Sequence, residues 1–96
     1  MAGIEVSLTT IEGGWLAQVT VADEKGPSSH EVALTEEDYR RLSHGQCPPE
    51  ELVRASFEFL LQREAKESIL AHFALSVIGR YFPEYEGWLA KQLPRA

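Results

Sequence analysis

The sequence predicts an α+β domain, a three-stranded antiparallel β-meander followed by three to five helices. Three observations carry this reading. Up to Leu34 the apolar residues alternate with polar ones; from Thr35 onward they recur at helical spacing; and the two regimes do not interleave along the chain. At 96 residues there is room for one domain with a single modest core.

Ile4, Val6 and Leu8 alternate with Glu5, Ser7 and Thr9, which predicts a half-buried strand over about 4–11. Gly13-Gly14 makes the turn. Trp15, Ala17, Val19 and Val21 then pattern a second strand over about 15–22, antiparallel to the first because the connection is so short. Residues 23–29 have turn chemistry and are expected to form a mobile loop, after which His30, Val32 and Leu34 mark a third short strand. Thr35 is a suitable N-cap, with Glu36, Glu37 and Asp38 at the positive end of a short helix running through Leu42. Gly45 is the expected left-handed residue after it.

Pro48 and Pro49 open a longer helix in which Glu51, Arg54, Glu58 and Gln62 form a narrow polar stripe and most other positions through Leu61 are apolar. Such a helix must be covered on two sides. Beyond Arg63, Ile69, Leu70, Phe73, Ala74, Val77, Ile78 and Tyr81 fit one helical face over 68–82, capped by Ser68; a break near Ala74-Leu75, with Ser76 as a second N-cap, fits equally. A last helix starts near Pro83 and stops before Pro94.

Composition narrows the function classes. Hydrophobic residues at 44% and charged residues at 25% are ordinary globular values, the longest apolar runs fall far short of a bilayer span, and the N-terminus lacks the pattern of a secretion signal. A cytoplasmic protein is expected. The net charge of −6 is concentrated in the first half, where eight acids face three bases; no basic patch is evident, so no nucleic-acid partner is expected. A lone cysteine, Cys47, has no internal disulfide partner, in keeping with a reducing compartment.

Three constellations bear on chemistry. His44 and Cys47 share an H-x-x-C spacing, which suits a thiol nucleophile if the following helix start and His44 lower the thiol pKa; a loop cysteine packed at a helix start is the simpler reading. No metal site and no cofactor are expected, because His30 and His72 lie on other elements and no second Cys/His pair exists. Gly13-Gly14 joins two strands rather than a strand to a helix, so it is not a phosphate loop. Tyr81, Tyr85 and Trp88 are candidate interface residues because aromatic rings with a polar tip suit either core closure or a partner surface, and Phe57 and Leu61 join them because the long helix carries more apolar surface than one sheet covers.

Glu12-Gly13-Gly14-Trp15-Leu16-Ala17-Gln18-Val19 resembles the first hairpin of HicB-type antitoxins, where a Gly-rich turn and an aromatic residue open the second strand of a βββα unit. That resemblance spans residues 4–34 and implies an antitoxin-like regulator with a basic protein partner. The Pro-Gly-Cys segment of that family is replaced here by Gly26-Pro27-Ser28-Ser29, and no helix-turn-helix follows. From Leu34 to Tyr85, the segments Pro49-Glu50-Glu51-Leu52-Val53, Ser68-Ile69-Leu70 and Tyr81-Phe82-Pro83-Glu84-Tyr85 resemble a family of small bacterial proteins of unknown function. The expectation is a non-catalytic protein-interaction module that self-associates, most simply as a homodimer, because apolar helix surface exceeds what one thin sheet can cover. A small thiol-dependent enzyme is the rival expectation.

Overall fold

The computed structural model describes residues 3–92. Three strands, β1 (Gly3–Ile11), β2 (Gly14–Asp23) and β3 (Gly26–Thr35), form the expected meander through two tight turns, Glu12-Gly13 and Glu24-Lys25. Each turn depends on a glycine with positive φ, +78° at Gly13 and +112° at Gly26. The expected mobile loop over 23–29 is corrected by this geometry. The β2–β3 ladder continues to the pair Asp23 and Gly26, and the Lys25 N–H donates to the Asp23 carboxylate at 2.8 Å. Pro27, Ser28 and Ser29 therefore belong to β3.

A fourth strand, β4 (His72–Ala74), runs parallel to β3 and makes the sheet mixed, in the order β1-β2-β3-β4. The continuous helix expected over 68–82 is absent, and Ser68 ends a single 3₁₀ turn (Lys66–Ser68) instead of capping one. The misleading periodicity has a plain cause: a turn, a strand end and a short helix each send one residue, Ile69, Leu75 and Ile78, into the same core. Backbone bonds fasten β4 to its neighbour, from the Glu31 N–H to the Ala71 carbonyl at 2.7 Å and from the Leu75 N–H to the Ala33 carbonyl at 2.9 Å. His30 adds a side-chain latch. Its Nδ1 lies 2.8 Å from the Leu70 carbonyl, which can only accept, so Nδ1 carries a proton, and Nε2 pairs with the Ser28 hydroxyl at 2.8 Å.

Four α-helices are found among the described residues: α1 (Glu36–Ser43), α2 (Pro49–Leu61), α3 (Val77–Tyr81) and α4 (Tyr85–Gln92). Thr35 caps α1 as expected, its hydroxyl accepting from the Asp38 N–H at 3.1 Å. The left-handed turn after α1 takes two residues, His44 (φ 55°) and Gly45 (φ 72°), rather than Gly45 alone. The second alternative for 68–82 holds in part, since α3 starts after Ser76, yet no side-chain capping bond comes from that serine.

α2 is the centre of the fold, and a single chain covers both of its apolar flanks. Toward the sheet, the Phe57 ring meets those of His30 and Phe73 at centroid distances of 5.4 and 6.0 Å. On the far side Phe59 meets Phe82, Tyr85 and Trp88 at 5.7, 5.2 and 5.3 Å, while the Arg63 guanidinium lies 3.6 Å over its ring. The Ser56 hydroxyl donates to the Leu52 carbonyl at 2.7 Å, which leaves Tyr85 to donate to Ser56 at 2.5 Å. Burial pushes the Tyr85 phenol well above its ordinary range. The remaining helices thus close the outer flank of α2, and the second face of the sheet, with Glu5, Ser7, Thr9, Gln18 and Ser29, stays open to solvent.

One ionic cluster ties the 3₁₀ turn to the β2–β3 turn. The Lys66 side chain, only 4% exposed, contacts Asp23 at 3.3 Å and also Glu67. The Lys25 backbone N–H first, and Lys66 with it, hold the Asp23 carboxyl below its ordinary value of 3.8. A carboxyl depressed in the folded state stabilises the fold above its unfolded pKa, and that contribution is lost as pH falls through the folded value. Asp23→Asn is accordingly expected to give a shallower loss of stability below about pH 4 than the parent. Urea titrations from pH 2 to 7 test this, and parallel curves would refute it.

Candidate functional site

Cys47 lies just before α2 and is buried, with its backbone carbonyl accepting from the Tyr39 hydroxyl. Burial first, and the Glu51 carboxylate second, push the thiol pKa up, opposite to what a nucleophile needs. His44 is exposed in its left-handed turn, and no hydrogen bond joins it to Cys47 among the described residues. The shared spacing brings no base to the thiol. Alkylation of native Cys47 by iodoacetamide near pH 7.5 is expected to run at least ~10-fold slower than in the urea-unfolded chain. Equal or faster labelling of the native protein would restore the thiol reading. Among the described residues no group of three His, Cys, Asp or Glu side chains could hold a metal ion.

The five candidate interface residues separate. Phe57 and Tyr85 are completely enclosed within the chain, which corrects their expected surface role: the surplus apolar area of α2 is sheltered by β3, β4 and α4. Leu61 and Trp88 are half-buried against the same core. Only Tyr81, 71% exposed at the end of α3, stands free.

Tyr81 forms one rim of a groove between the end of α2, β4 and α3. Leu70, 53% exposed, stands on the groove as well, with Leu60, Ile69, Phe73, Val77, Ile78 and Phe82 completing its apolar lining and Glu64 and Ser68 supplying the polar atoms. The groove measures about 340 Å³. Hydrogen bonds fix its position on both sides: the β3–β4 ladder and the His30 side-chain latch hold Leu70 and Phe73, and the Phe82 N–H, bonded to the Ile78 carbonyl at 2.9 Å, ends α3 at Tyr81.

Comparison with protein-family models, with curated proteins and with solved structures finds no match to this chain. What the site does must come from its own make-up. It offers shape and apolar surface, with Glu64 and Ser68 as the polar members of its lining. Leu70 is the functional candidate that the sequence reasoning passed over. The signal was the adjacent pair Ile69-Leu70, because a chain leaving a 3₁₀ turn in extended form sends successive side chains to opposite sides, here Ile69 inward and Leu70 outward. No helix among the described residues is long and apolar enough to cross a membrane.

Proposed function

We propose that this chain is a non-catalytic protein-interaction module whose working surface is the groove bordered by Leu70 and Tyr81. A single observation supports the reading. Of the three large apolar side chains exposed among the described residues, Ile11, Leu70 and Tyr81, two stand on this one groove. Exposed apolar side chains scattered singly need no explanation, whereas two on one apolar concavity are what a docking site requires. The occupant that fits is an apolar segment of a protein partner carrying a cation, because the groove is apolar and its charged lining residue is the carboxylate Glu64.

The test places a photo-crosslinking benzoyl-phenylalanine at position 70, 81 or, as a control, at Glu12 in the first turn, and irradiates intact cells. One crosslinked protein of the same mass from positions 70 and 81, absent from position 12 and lost on Phe73→Glu in a folded double variant, is the expected result. Crosslinks that are the same at all three positions, or none at 70 and 81, would overturn the reading.

A further inference from the structure

The two edges of the sheet are treated differently. Residues of β3 that turn their backbone groups away from β2 are the odd-numbered ones, as the bonds of Glu31 and Ala33 to the β4 segment show. Beyond β4 that edge is guarded by Pro27, which has no N–H to offer a further strand. β1 has no such guard apart from one contact. It is nine residues long, pairs with β2 without a bulge, and contains neither proline nor lysine. Its two-residue turn closes on the pair Ile11 and Gly14, so its odd residues bond to β2 and the backbone groups of Ile4, Val6, Leu8 and Thr10 point outward. The Arg54 guanidinium, donating to the Ile4 carbonyl at 2.5 Å, confirms that direction and occupies one of that oxygen's two lone pairs. Ile4, Val6 and Leu8 are only half-buried, while their neighbours across the sheet, Ala17, Val19, Val21 and Val32, are fully covered.

We propose that β1 pairs antiparallel with β1 of a second copy, about a twofold axis at Ser7, to form one continuous sheet with four strands from each chain. Outward-facing residues must meet outward-facing residues in an antiparallel ladder, and the register centred on Ser7 satisfies this while pairing all nine positions. Val6 then faces Leu8 of the second copy and Ile4 faces Thr10, extending the apolar row across the junction. Glu5 faces Thr9, so no carboxylate meets its own image, as it would in a register centred on Glu5. Ile11, 44% exposed, comes opposite Gly3, where there is open space around the missing side chain. This surface lies at the opposite edge of the sheet from the Leu70–Tyr81 groove, so the two proposals stand or fall separately.

Sedimentation of the full chain at ~100 μM should give a dimer. In a Cys47→Ser background, Ser7→Cys should convert to a disulfide-linked dimer on mild oxidation, because residues facing each other at a non-hydrogen-bonded pair have closely spaced Cα atoms. Ser29→Cys, exposed on the same face of β3, should remain monomeric on a non-reducing gel. Ser7→Lys, which sets two ammonium groups face to face, should raise the dimer dissociation constant at least ~10-fold with an unchanged circular dichroism spectrum. A monomeric parent chain at that concentration, or a dimer that Ser7→Lys leaves intact and Ser7→Cys fails to link, would overturn the proposal.

Discussion

Phe57→Ala is expected to lower folding stability by about 3–5 kcal/mol, which for a domain of this size removes a large part of the total. Phe57 has no exposed surface, and its ring fills the space between His30 of β3 and Phe73 of β4. Truncation loses the transfer free energy of the ring and leaves a cavity, since α2 is held in place by Phe59 on its other flank and cannot settle into the gap. The effect extends beyond volume: without Phe57 the buried His30 ring loses its packing partner, and the latch to the Leu70 carbonyl loosens with it. Urea unfolding followed by circular dichroism measures the change. A loss below ~1 kcal/mol would mean that the sheet and α2 are not packed as described.

The second large effect falls on the glycine that looks the less constrained of a pair. In Gly13-Gly14 the residue with positive φ is Gly13, yet a Cβ there would meet open space, and the strain of a left-handed alanine is about 1–2 kcal/mol. At Gly14 a Cβ would lie 2.2 Å from the Leu34 carbonyl oxygen and 2.8 Å from the Thr35 Cα, both backbone atoms that cannot rotate aside. The end of β3 would have to move, and with it the bond from the Glu36 N–H to the Gly13 carbonyl at 2.9 Å that seats the start of α1. Gly14→Ala is expected to cost about 3 kcal/mol and to exceed Gly13→Ala in the same urea assay. The reverse order would show that turn conformation, not strand approach, governs this hairpin.

How much of this was legible depended on whether one element produced the pattern. The meander was readable because Ile4 to Leu8 and Trp15 to Val21 each alternate over a full strand facing one core, and α1 and α2 because Thr35 and Pro49 mark their starts. The region 66–82 was not, because three short elements share one core and their buried residues happen to fall at helical intervals. A three-residue strand has no period of its own; only its partner β3, some forty positions earlier, defines it. The candidate site suffered the same way. Tyr81 and Tyr85 carry the same aromatic signal, but the groove beside Tyr81 exists only once β4 is in place and Tyr85 packs into the core against Phe59, while the apolar surplus that marks Phe57 is absorbed by β3 and β4.

β4 also sets a condition on anything that settles beside it. Three residues and a histidine contact attach that strand, so it is the most easily detached member of the sheet, and Phe73 and Leu70 leave with it. Strand attachment and groove occupancy are consequently one linked equilibrium: a guest gains affinity only by the margin with which the docked strand outweighs the frayed one, and in return it suppresses that fraying.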